Sequence, residues 1–255
     1  MRTFLKNLLH PIGNRHPDHI GAGAENLHVP SIVKSNFDSW SAPRRGQLNP
    51  DLLSNPVWAW LIETGLSPEA AHRAAGSGRR RKPGWNFGER FGQSRTALDD
   101  GSSVLIGGEY EDFYDPDFYI YNDVVVARSD GSITIYGYPE EVFQPTDFHT
   151  ATKVGNGIYI IGCLGYVKDR RPNHTPVYFL DLQSFQISSV ETVGEAPSWL
   201  FKHTAKFEPE THAISLEGGR VMQGSANDLI PNEGVWKLCL RTFEWTKQKG
   251  PQSGR

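Results

Sequence analysis

The rhythm of apolar and polar positions changes near residue 91. Upstream, residues 1–55 show little periodicity and many polar, Pro and Gly positions, so loop or disorder is predicted there. Two short helices follow. The first opens at Pro56, with Asn55 as N-cap and Gly65 as its stop. Trp58, Leu61 and Ile62 fall at i, i+3 and i+4 and share one face. The second is capped by Ser67, opened by Pro68 and Glu69, and closed by Gly76. From 91 onward the chain reads as short strands at close spacing, broken by Gly, Asn and Asp turns.

Those strands repeat. Thr-Ala occurs at 96–97, 150–151 and 204–205, two equal intervals of 54. Each copy runs into an apolar stretch that ends in glycine, at Gly107, Gly162 and Gly218. A third strand follows at about Tyr121, Val177 and Val235, and a fourth at about Ser132, Gln186 and Phe243. A period of this size points to a propeller or an array. The second and third units also match across their last two strands, Asp181 to Ile187 against Cys239 to Trp245, at an offset of 58. Strand cores keep register while surface loops grow.

These features resemble kelch repeats. The resemblance rests on His or Arg before Thr-Ala, on Gly-Gly after the second strand, and on the Asp-Leu-x-Ser/Thr pattern across the third and fourth strands. The proline-bearing link Gly194 to Pro197 belongs to it too. There are departures: Cys163 replaces the second glycine of unit two, and Ile187 stands where Trp245 stands in unit three. The resemblance implies an all-β fold of three four-stranded propeller blades, at about 91–137, 149–192 and 203–248. Blades then occupy 85–255, and residues 1–84 form an irregular, short helical region. Three blades leave two open faces, both expected to be apolar. The helices at about 56–75 are expected to cover one and residues 1–55 to lie across the other, so that the N-terminal region packs on the first or last blade and the chain is one domain. Two arcs pairing into a six-bladed homodimer is the alternative.

Composition narrows the chemistry. Net charge is −3, so no global field draws the chain to nucleic acid or a membrane. The one dense basic run, 77–84, reads as a solvated linker. No apolar run reaches the ~18 residues of a spanning helix. Two cysteines, Cys163 and Cys239, exclude a disulfide framework, and a cytoplasmic setting is expected. No Gly-x-Ser-x-Gly, P-loop or His-Glu-x-x-His motif occurs, so no catalytic residue, cofactor or metal is assigned.

Two groups remain as site candidates. Arg95, His149 and His203 share one column before Thr-Ala and are candidates for a ligand site at the channel mouth. The acidic-aromatic loop from Glu109 to Asp117 lacks calcium-loop spacing, and its aromatics are read as anchors. Tyr110, Phe113 and Tyr114 from this loop, Arg170 and Arg171 from the basic loop of unit two, and Trp199 and Phe201 from the next link are candidates for contacting a protein partner. The expected function is a non-catalytic protein-interaction module. A small-molecule or sugar-binding propeller, with or without enzymatic activity, is the alternative.

Overall fold

The computed structural model describes residues 27–77, 83–87, 90–110 and 118–248. These fall into two compact units. The smaller lies within Met1–Arg44, Leu53–Arg90 and Tyr110–Tyr119, and the larger within Arg45–Leu52, Phe91–Glu109 and Ile120–Arg255. Most of the basic run, including Arg79, Arg80 and Arg81, lies outside the described residues.

Among the described residues, the smaller unit carries three helices: α1 (Ser31–Trp40), α2 (Pro56–Thr64) and α3 (Pro68–Ala75). The last two begin and end where their caps predict. Asn55 accepts from the Trp58 amide, Ser67 accepts from the Ala70 amide, and Gly65 and Gly76 close them at φ 61° and 70°. Helix α1 falls in a stretch read as loop. It starts at Pro30 without a side-chain cap and buries only Val33 and Phe37, too short an apolar stripe to stand out in sequence. Phe37 packs edge-on against Trp60 and His72, while Trp58 stacks on Trp85 at 4.6 Å.

The larger unit is built mostly of antiparallel strands, and the described residues are all-β with few helices. In the first sheet, β2 (Ser94–Ala97), β3 (Ser103–Ile106), β6 (Val124–Ala127) and β7 (Ile133–Gly137) form a meander. The strand β1 (Asp51–Leu53) adds to its outer edge. A short pair, β4 (Glu109–Tyr110) with β5 (Tyr119–Ile120), lies between β3 and β6 in sequence. The second sheet is β8 (Thr150–Val154), β9 (Gly157–Ile161), β10 (Val177–Asp181) and β11 (Ile187–Ser189). The third is β13 (Thr204–Glu208), β14 (Ala213–Glu217), β17 (Val235–Cys239) and β18 (Glu244–Gln248). Its edge is extended by β12 (Val193–Gly194), which runs parallel to β18. The hairpin β15 (Arg220–Met222) with β16 (Leu229–Pro231) rises between β14 and β17. No sheet closes into a barrel among the described residues.

Period-two alternation explains how the sheets stack. Ile158 and Ile160 of β9 and Leu180 of β10 pack with Val104, Ile106, Val124 and Val126 of the first sheet. Their neighbours Tyr159, Ile161 and Val177 point the other way, into Ile214, Leu216, Trp236 and Leu238 of the third. The second sheet is thus apolar on both sides. The third is not. Lys206, Ser215, Lys237 and Thr246 stand in one cross-strand row on its far side, where all four are exposed or half-buried. On that side Lys237 Nζ lies 2.6 Å from Glu208 Oε2 and holds the Glu208 carboxyl down to about 2. The expectation of two open apolar faces therefore fails at the third sheet: this face is polar, and solvent suffices for it.

The repeated glycines end their strands as the pattern requires. Gly107, Gly162 and Gly218 follow the last residues of β3, β9 and β14 at φ 55°, 73° and 66°. A Cβ would come 2.2 Å from Thr146 O at Gly107 and 2.1 Å from Leu200 O at Gly162. At Gly218 it would meet nothing within 4 Å. The first two glycines abut the link into the next sheet; the third has no such neighbour.

Part of the N-terminal region is built into the sheets. The side chain of Asn49 accepts from the Ile187 amide at 2.9 Å and donates to the Ile187 carbonyl at 2.8 Å, mimicking a strand neighbour for β11. Gly46 N donates to Tyr138 O, and Arg45 donates to Glu140, Asn122 and the Ile120 carbonyl. Residues 45–52 thus strap the rims of the first two sheets together.

Candidate functional site

The column before Thr-Ala divides between surface and interior. Arg95 is exposed, and among the described residues its guanidinium donates to Ser103 Oγ, at 3.3 Å. His149 and His203 are buried. His149 Nε2 lies 2.7 Å from Ser94 Oγ on the first sheet, and His203 Nε2 lies 2.9 Å from Thr150 Oγ1 on the second. Each imidazole therefore reaches back to the innermost strand of the preceding sheet. Burial pushes His149 down to about 3, with His203 adding a smaller push. Burial alone pushes His203 down to about 4. Both rings are neutral near pH 7 and act as braces between inner strands.

Sequence reasoning missed a buried polar group beside this column. Asp147 is fully buried. Its carbonyl accepts from the Leu164 amide at 3.1 Å, and its Oδ1 accepts from the Gly165 amide at 2.6 Å. Among the described residues no donor reaches its Oδ2, which is buried, and the Glu109 carboxyl stands beside the group. Burial raises the Asp147 carboxyl, against the lowering influences of the Gly165 amide, the Glu109 carboxyl and Arg170. Gln144 donates to Cys163 Sγ at 3.3 Å, and burial pushes that thiol up. A lone acid inside an inter-strand link carries no pattern that a sequence reading detects.

The candidates for partner contact also divide. Arg170 is 9% exposed, and its guanidinium donates to the carbonyls of Leu164, Gly165 and Ala226. Trp199 is 1% exposed and Phe201 2%; Trp199 Nε1 donates to Leu164 O. These three hold the loops together from inside. Arg171 is exposed and Tyr110 half-buried. Phe113 and Tyr114 lie outside the described residues.

A cleft of about 760 Å³ opens on the same loop face. Asn173 comes from the loop after β9, Glu195 and Ser198 from the link after β12, and Ile230 to Gly234 from β16 and the turn after it. Trp236 of β17 and Lys247 of β18 also line it. Trp236 Nε1 donates to Asn232 Oδ1 at 3.2 Å, which fixes the ring. Lys247 Nζ lies over that ring, 5.0 Å from its centre. A cavity of this size takes a short peptide or a small molecule. Among the described residues no group of His, Cys, Asp and Glu has a metal-holding arrangement.

No protein-family model matches the chain, and no curated protein matches it significantly. The solved structure of YjhT aligns with 68% of this chain at 14% identity, with a TM-score of 0.49. The aligned part spans 56% of that protein. Among the described residues, no helix is long and apolar enough to cross a membrane.

Proposed function

We propose that the chain is a kelch-type propeller module, made of three blades, that binds a protein partner through its loop face. The observation that carries this reading is the cleft. It is framed by the two kinds of segment that a meander repeat sends to one face, the loops between second and third strands and the links between units. Loops on a rigid scaffold are where binding surfaces are placed. The burial of Trp199, Phe201 and Arg170 moves the contact surface away from those residues and onto the cleft walls. Cys163 and Cys239 are free thiols, as suits the cytoplasmic setting that belongs to this reading.

The test is selection of displayed peptides on the immobilised chain. Binders selected on the native protein should be lost on Ile230→Asp and kept on Arg95→Ala, both checked for folding by circular dichroism. Binders that survive Ile230→Asp and fail on Arg95→Ala would instead place the contact at the inner strands.

A second reading, a propeller that binds a small molecule beside its inner strands, is favoured by one observation. Asp147 is a fully buried carboxyl beside the Glu109 carboxyl and under the influence of Arg170, with no hydrogen-bond donor on its Oδ2 among the described residues. Isothermal titration with monosaccharides and small amines against native protein and Asp147→Asn tests it. Binding lost in the variant supports this reading; absence of any heat removes it.

A further inference from the structure

We propose that the cleft on the third sheet is a seat for a cationic side chain, lysine or arginine, presented by a peptide segment of the partner. This deepens the module reading and rests on it. The argument begins with Lys247. Its ammonium lies 5.0 Å from the centre of the Trp236 ring, over the aromatic face. It makes no ion pair among the described residues. Trp236 is 5% exposed and its Nε1 is fixed on Asn232. The ring is therefore a rigid, preformed platform, and the flexible end of an exposed lysine covers it.

A cation already drawn to this point within the chain marks where an external cation would sit. Two carboxylates line the cleft. Glu195 belongs to the link after β12 and Glu233 to the turn after β16, and both are exposed. Against Lys247 they leave the cleft net acidic. When Lys247 swings out, the platform and both carboxylates face the same space. Gly234 keeps that space open: a Cβ there would come 2.9 Å from Trp236 Nε1 and 3.1 Å from Lys247 Cε. An internal occupant lowers the apparent affinity for an external one by the fraction of time it occupies the site. Removing Lys247 should then tighten binding, a result that a purely structural lysine does not give.

The probe is the tripeptide acetyl-Gly-Arg-Gly-amide, with the citrulline peptide of the same shape as its uncharged control. Binding is read from the Trp236 indole N–H and the Gly234 amide in two-dimensional NMR of the whole chain. The expected result is a saturable shift with the arginine peptide, at least fivefold weaker with citrulline. Lys247→Ala should tighten it at least threefold, and Glu195→Gln with Glu233→Gln should weaken it at least fivefold. Equal binding of both peptides, or Lys247→Ala leaving affinity unchanged or lower, overturns the cation seat. If selected peptides occupy the cleft without a basic residue, the module reading stands and this inference falls. If no peptide perturbs any loop residue, both fall.

Discussion

His203 Nε2 lies 2.9 Å from Thr150 Oγ1, so a side chain entering the third sheet is tied to the innermost strand of the second. His149 does the same one unit earlier, 2.7 Å from Ser94 Oγ. These contacts turn a column of residues that reads as ligand-like into a set of cross-sheet ties, and they make the fold sensitive to acid.

Burial holds His149 at about 3 and His203 at about 4, against an ordinary 6.5. A depressed folded-state value means that the unfolded chain takes up protons the folded chain refuses. The stabilising contribution is fully present above about pH 6.5 and is lost as pH falls through 4 towards 3. The loss accumulates from about pH 6.5 downward, because the unfolded rings take up protons there and the buried ones do not. Urea midpoints measured from pH 7 to pH 4 should fall steeply, and His203→Gln should flatten the fall. Asp147, whose carboxyl is raised, works in the opposite sense, so the slope should steepen in Asp147→Asn.

Replacement of Asp147 separates acceptor from charge. Asp147→Ala leaves the buried Gly165 amide without its acceptor and should cost about 1–3 kcal/mol. Asp147→Asn keeps an oxygen in that place and should cost less. Equal losses in thermal denaturation at pH 7 would show that the charge, set against Arg170, is what matters.

The glycines should differ sharply. Gly162→Ala drives a Cβ into Leu200 O at 2.1 Å, which requires the link to move, and should lower the melting temperature by many degrees. Gly218→Ala meets nothing within 4 Å and should cost only the strain of positive φ, about 1 kcal/mol. Similar effects at the two positions would remove the argument that the link packs on the strand end.

Asn49→Ala deletes both hydrogen bonds to Ile187 and should cost about 1–3 kcal/mol. Amide exchange at Ile187 should accelerate while that at Leu180, deep in the second sheet, stays slow. Unchanged exchange at Ile187 would mean that the strap adds nothing to the rim.

Much of this architecture was legible in the chain. Thr-Ala recurs because each sheet repeats the same inner hairpin, and the strand-ending glycines recur because all three have positive φ, with a link too close for a Cβ at Gly107 and Gly162. The caps of α2 and α3 are equally plain, because Asn55 and Ser67 satisfy specific amides. Helix α1 is silent because tertiary burial of Val33 and Phe37 defines it, without a capping side chain. The strands β1 and β12 are silent because three and two residues cannot show alternation. Arg170, Trp199 and Phe201 have the residue types of a binding surface, yet here their donors and rings serve loop carbonyls and the core. Residue type gives the capacity for contact; only packing decides whether the contact is internal.

The polar row of Lys206, Ser215, Lys237 and Thr246 has a consequence for how the molecule comes apart. In a linear stack each unit is held by its neighbours, and a unit with one apolar interface opens more readily than a unit with two. The second sheet cannot leave without breaking both of its interfaces. The third can open by breaking one, leaving the first two joined and strapped at Asn49. Its hinge is the link after β11, and its opening exposes Trp245 and Leu238 on one side and Ile161 on the other. Local unfolding should therefore travel inward from this end, carrying the cleft with it, so that occupation of the cleft and rigidity of the last sheet rise and fall together.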